Sequence, residues 1–228
     1  MSDPISRAEL MRTIGRLVRG LSALFWGLPL ALVLSVQTAW TECLRPFQFI
    51  PPLAATGLLL FGLCQLGHFQ PQERVWIAAL ERAKVLALIL MGLTPFLWWW
   101  HQAPAVTWFS QALTVFSVCG LLLLAALNQV LRRLAAMLPD ETVRQETRLF
   151  TTFSLFLLAA LLIFLAGYLG LVYMPTHSIR LLQLLVILNR EILWLGILLL
   201  LLPLAMTMAL LWKIKGVILT SVFGTQEL

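Results

Sequence analysis

Charged residues are scarce in this chain. Asp, Glu, Lys and Arg make up 11% of the 228 residues, whereas 61% of the residues are hydrophobic. A soluble domain carries roughly 25% charged residues, so this composition excludes a soluble globular protein and favours a chain solvated by lipid. The net charge of +6 is typical of membrane proteins with basic inner segments and does not indicate a nucleic-acid partner.

The sequence also lacks the motifs of common enzymes and cofactor sites. It contains no G-x-S-x-G, H-E-x-x-H, D-D-x-x-D or Glu-x-x-His pattern, so no nucleophile–base pair or di-iron site is indicated. Its three cysteines, Cys43, Cys64 and Cys119, form no CxxC pair and give no disulfide framework. We therefore expect a non-catalytic protein without metal or cofactor.

Six apolar, charge-free stretches are the main positive feature. Each approaches the roughly 20 residues that cross a bilayer as a helix. They predict an all-α, polytopic membrane protein: one integral membrane domain, 1–228, built as a six-transmembrane-helix bundle with short loops. The second stretch follows Pro51-Pro52, which suits the first turn of a helix. The predicted spans are 21–40, 53–69, 85–100, 106–130, 150–173 and 192–212.

An amphipathic segment precedes the third span. Its apolar residues share one helix face and its charged residues occupy the remainder, which predicts an interfacial helix running into that span. The apolar face consists of Val75, Trp76, Ala79, Leu80 and Ala83.

The apolar segment 179–188 is too short to cross a membrane alone. A straight helix from Arg180 to Lys213 would measure about 50 Å at 1.5 Å per residue, against a hydrocarbon core of about 30 Å. We therefore predict a break, a bend or a second interfacial helix near Asn189-Arg190-Glu191.

Basic residues indicate the orientation. If the N-terminus is cytoplasmic, thirteen of the 16 lysines and arginines fall in inner segments, as the positive-inside rule requires. The segment 1–20 is then a basic cytoplasmic N-terminal segment before an uncleaved first span. Both termini are predicted to be cytoplasmic, in a bacterial inner membrane. The inner residues are Arg7, Arg12, Arg16, Arg19, Arg74, Arg82, Lys84, Arg132, Arg133, Arg144, Arg148, Lys213 and Lys215.

Small residues recur every four positions along the first span. We call Ala23, Gly27, Ala31, Ser35 and Ala39 the small-residue ladder. Small residues at this spacing let two helix backbones approach closely, so the ladder predicts either packing within the chain or docking of another subunit. The size, the six spans and this ladder resemble the substrate-binding subunits of energy-coupling-factor vitamin transporters. The resemblance covers the general plan and the first helix, and it implies that the ladder contacts a coupling subunit.

A second candidate site lies on the predicted outer side. Arg180, Asn189, Arg190 and Glu191 could bind an anion or a lipid headgroup, although long polar side chains at an interface are also simply solvated.

Two functions are consistent with this sequence. We expect a non-catalytic membrane subunit or scaffold that binds membrane lipids and other membrane protein subunits through its helix faces. The alternative is the membrane component of a small-molecule transporter, of the substrate-binding-subunit type. A transporter should have a central cavity lined by Gln65, Gln111, Ser117 or Asn128, whereas a scaffold should be packed through its centre and lined by small residues on a lipid-facing edge.

Overall fold

A computed structural model of the chain describes residues 4–41, 45–70, 72–137, 141–173 and 179–223. Throughout these ranges the secondary structure is helical, with six α-helices, one short 3-10 helix (Arg45–Phe47) and no strand. The prediction of an all-α membrane protein is confirmed. The α-helices are α1 (Pro4–Trp40), α2 (Ile50–Leu66), α3 (Arg74–Gln102), α4 (Thr107–Ala136), α5 (Glu141–Tyr173) and α6 (Ile179–Phe223).

Four of these helices contain segments long and apolar enough to cross a membrane by themselves: Met11–Trp40, Thr107–Ala136, Arg144–Gly167 and Gly196–Thr220. The apolar α2 is shorter, at 17 residues. Helices suit this environment because lipid offers no partners to backbone polar groups, which an α-helix satisfies internally. The six predicted spans thus correspond to six helices, and four of these contain a segment long and apolar enough to cross a membrane.

The helices form a closed ring. Each helix contacts the next along the chain, and α1 contacts α6; α1 also contacts α3, and α4 contacts α6. Buried leucines from all six helices form one continuous apolar cluster. Between α1 and α6, the aromatic rings of Phe25 and Trp212 are in contact, with their centroids 5.6 Å apart.

Two glycines bring the backbones of α1 and α2 close together. A Cβ built on Gly62 would lie 3.0 Å from the carbonyl oxygen of Gly20, and one built on Gly20 would lie 2.9 Å from that of Gly62. Because backbone atoms cannot rotate away as side chains can, only glycine at both positions allows this distance. As predicted, α2 begins with prolines in its first turn.

The predicted amphipathic segment is the first part of α3 and is continuous with the rest of that helix. Trp76, Leu80 and Ala83 are at most 1% exposed and belong to the apolar core. The indole N–H of Trp76 donates a hydrogen bond to the carbonyl of Phe69, at 3.0 Å. This face therefore packs mainly on the protein, while Val75 remains exposed.

The predicted break in the last helix and the predicted second interfacial helix are wrong, while the bend stays a prediction. α6 runs without a break through Asn189, Arg190 and Glu191 as one helix of 45 residues, so 179–188 is not a separate interfacial helix. The length argument assumed a helix confined to the bilayer, but 45 residues extend about 68 Å, well beyond a core of about 30 Å. From Pro4 onward, the basic N-terminal segment is the beginning of α1.

Candidate functional site

The small-residue ladder lies largely inside the bundle. Gly27, Ala31, Ser35 and Ala39 are buried, and Ala23 is half-buried. A Cβ on Gly27 would lie 2.8 Å from Cδ2 of Leu59 in α2, so this part of the ladder contacts a helix of the same chain. Docking of another subunit on the ladder stays a prediction.

The predicted anion or headgroup site falls on α6. Its residues Arg180, Asn189, Arg190 and Glu191 lie within that helix, but their side chains are outside the described part of the structure. The site stays a prediction.

The residues expected to line a transport path are dispersed. Gln111 and Ser117 of α4 are exposed, and Gln65 of α2 is half-buried. The hydroxyl of Ser117 donates to the carbonyl of Leu113 in its own helix. Among these four, only Asn128 is fully enclosed, with 0% exposure.

Asn128 forms a hydrogen bond between α4 and α6. Its Nδ2 donates to the carbonyl of Leu124 at 3.0 Å and to Oγ1 of Thr207 at 2.9 Å. Thr207 donates its only hydroxyl proton to the carbonyl of Pro203, so its oxygen must accept from Asn128. Both partners of Nδ2 are therefore acceptors, which fixes the orientation of the amide and leaves Oδ1 on the opposite side.

Two hydroxyl residues of α5 lie at the same depth as this pair. An ion pair between Lys213 and Glu146 places these two residues at similar depth in the antiparallel helices α5 and α6. Thr207 is six residues from Lys213, or about 9 Å along the helix axis. Thr151 and Ser154 are five and eight residues from Glu146, or about 7.5 Å and 12 Å, so Thr207 lies between them in depth.

We call Asn128, Thr151, Ser154 and Thr207 the polar layer. All four residues are 0% exposed, and α5, which carries two of them, contacts both α4 and α6. Within the described chain, Oδ1 of Asn128, Oγ1 of Thr151 and Oγ of Ser154 are buried without a hydrogen-bond partner. Each such group costs about 1–3 kcal/mol in a protein interior, whereas immobilising a bridging water costs at most about 2 kcal/mol.

The polar layer is neutral and offers hydrogen bonds rather than covalent or redox chemistry. It contains no acid, base or thiol, and the described residues contain no group of three or more His, Cys, Asp or Glu that could hold a metal ion. Of the cysteines, Cys64 is exposed and Cys119 is half-buried, while Cys43 lies outside the described residues.

Sequence reasoning found Asn128 but missed the three hydroxyl residues of the polar layer. A signal was present, because Thr147, Thr151 and Ser154 follow the spacing of one helix face, and Thr207 stands one turn after Pro203. A hydroxyl inside an apolar span is usually expected to donate to a backbone carbonyl of its own helix. Thr152 does so, since it donates to the carbonyl of Arg148.

Exposed arginines lie where α4 ends and α5 begins, and we call them the basic rim. The rim includes Arg132 and Arg133 at the end of α4 and Arg148 near the start of α5, all exposed. In the part of the chain that the structure describes, none of these three has an ion-pair partner. By contrast, Lys84 pairs with Glu81 and Lys213 with Glu146.

Comparison with known proteins gave no relative from which a function could be transferred: no family model, curated protein or solved structure matches this chain.

Proposed function

We propose that the protein is a non-catalytic membrane scaffold or complex subunit that binds lipid and partner proteins through the outer faces of its helices. The supporting observation is the packed interior, where one apolar cluster joins all six helices. The residues that would line a transport path do not converge, since Gln111 and Ser117 are exposed while Asn128 is enclosed.

Lipid binding is supported by the basic rim. Exposed arginines without a carboxylate partner attract anionic headgroups, and each basic residue near a membrane surface contributes about 1 kcal/mol. By the positive-inside rule, we place this rim and both termini in the cytoplasm of a cell with the protein in its inner membrane.

Neutralising three rim arginines should release anionic lipid. In the variant Arg132→Gln/Arg133→Gln/Arg148→Gln, the loss of about 1 kcal/mol per residue should weaken phosphatidylglycerol binding on the order of 100-fold. Native mass spectrometry of protein from mixed phosphatidylglycerol and phosphatidylcholine nanodiscs measures the retained lipid. The matching triple Lys variant keeps the charge and should retain most of it. Equal retention by the Gln variant and the unaltered protein would contradict the proposed lipid contact.

One observation favours a transporter as the second candidate. Ser110, Thr114 and Ser117 continue outward along the same face of α4 that carries the buried Leu121 and Leu124. Leu121 is 6% exposed, whereas Ser117 is exposed and Thr114 and Ser110 are half-buried. A polar opening on the side away from the basic rim would have this pattern.

Cysteine labelling separates the two candidates. In a background without the native cysteines, Ser117→Cys should resist a water-soluble thiol reagent as strongly as Val115→Cys, since a scaffold places both in lipid. Rapid labelling of Ser117→Cys alone would show a water-filled opening and favour the transporter. His101→Cys and Arg144→Cys give the accessible and protected references in whole cells, and the reverse result at these two would overturn the proposed orientation.

A further inference from the structure

The polar layer contains more hydrogen-bonding capacity than its own members satisfy. Three oxygens from α4 and α5 have no partner in the described chain, at the depth where Asn128 joins α4 to α6. On α6, Pro203 has no N–H, so the carbonyl of Leu199 lacks the donor that a helix ordinarily supplies. Lipid excludes the bulk water that would otherwise satisfy these groups.

The chemistry of these atoms defines what can bind. Oδ1 of Asn128 and the carbonyl of Leu199 only accept hydrogen bonds, whereas the hydroxyls of Thr151 and Ser154 can donate or accept. A guest must therefore donate to the amide oxygen, which excludes an anion. It must also be small, since all four side chains of the layer are enclosed.

A neutral guest fits better than a cation. None of the four polar-layer residues carries a charge, and the ion pair nearest along these helices, Glu146 with Lys213, is already internally neutralised. Moving a cation into such surroundings carries a large desolvation penalty without a counter-charge to offset it. Water both donates and accepts, and buried waters typically make about three hydrogen bonds to otherwise unsatisfied polar groups.

We propose that the polar layer binds water, which bridges Oδ1 of Asn128 to the hydroxyls of Thr151 and Ser154. The water joins α5 to the pair formed by α4 and α6 through hydrogen bonds that no side chain makes directly. It is an internal component of the folded bundle.

The sign of a stability change tests this proposal. Thr151→Val keeps the shape of the side chain but removes its hydroxyl. If water bridges the layer, Thr151→Val and Ser154→Ala should each lower the melting temperature by about 2–4 °C. If the hydroxyls are truly without partners, the same changes should leave it unchanged or raise it, and the proposal fails. Thr152→Val, at the exposed neighbouring position, is the control and should have little effect.

A double-mutant cycle adds a second readout. Asn128 and Thr151 share no direct hydrogen bond, so a bridging water is the hydrogen-bonded link through which their substitutions would couple. In an Asn128→Leu background, Thr151→Val should lose most of its effect on the melting temperature, whereas full additivity would overturn the bridge.

Ion dependence distinguishes water from a cation. Melting temperatures in sodium, potassium and choline chloride at equal ionic strength should agree if water occupies the layer. A sodium- or potassium-specific rise that disappears in Asn128→Leu would show a cation instead, and the water proposal would be wrong.

Discussion

Adding one methyl group at Gly62 should destabilise the bundle markedly. The new Cβ would lie 2.9 Å from Cγ of Leu24 and 3.0 Å from the carbonyl oxygen of Gly20. Leu24 can adjust its rotamer, but the carbonyl can move only with α1, so the two helices must separate. Overpacking of this kind costs about 1–3 kcal/mol. We therefore expect Gly62→Ala to lower the melting temperature by several degrees, and Gly20→Ala to do so at least as strongly.

Gly92 is the matched control for this prediction. It lies within α3, and a Cβ there would meet nothing within 4 Å. Since alanine favours a helix over glycine by roughly 0.5–1 kcal/mol, Gly92→Ala should leave the melting temperature unchanged or raise it slightly. Thermal unfolding followed by tryptophan fluorescence in a mild detergent measures all three variants. If Gly62→Ala matched Gly92→Ala, the close approach of α1 and α2 would not exist in the folded protein.

Removing the indole of Trp76 should have the largest effect of any single core substitution. The side chain is 0% exposed, and truncating a buried tryptophan to alanine costs about 3–5 kcal/mol. The carbonyl of Phe69 also loses its donor from the indole N–H. Trp76→Ala should therefore greatly reduce the yield of folded protein or lower its melting temperature by more than either glycine variant.

Two further tryptophan variants separate packing from hydrogen bonding. Trp76→Phe retains an aromatic ring but lacks the donor, so its loss of stability should be clearly smaller than that of Trp76→Ala. Trp108→Ala removes an indole that is 76% exposed and should change stability little. A mild phenotype for Trp76→Ala would mean that this face of α3 faces lipid, as a purely interfacial helix would.

The sequence predicted the elements of the fold because an apolar stretch in lipid forms a helix, so hydropathy alone locates the helices. The six apolar stretches correspond to six helices, and Pro51-Pro52 marks the start of α2. The enclosed Asn128 could be found because an amide inside an apolar span needs a hydrogen-bond partner. These features depend on residue type and on position along the chain.

What the sequence could not predict is the rotation of each helix about its axis. Thr151, Thr152 and Ser154 lie within one turn of α5, yet Thr152 is exposed while Thr151 and Ser154 are buried. Which of them is buried depends on how α5 packs on α4 and α6, and a local pattern of three hydroxyls does not contain that information. The small-residue ladder has the same ambiguity between an inner and an outer face.

The closed ring of helices has a consequence for biogenesis. Helices enter the membrane in chain order during synthesis, so α1 can pack on α2 and α3 early, but its contact with α6 forms only after the last helix is made. Until then, Phe25 lacks the ring of Trp212, which it contacts in the finished bundle. If a ribosome stalls before α6 is made, the apolar face of α1 that would contact α6 stays uncovered. Membrane chaperones and proteases act on surfaces of this kind.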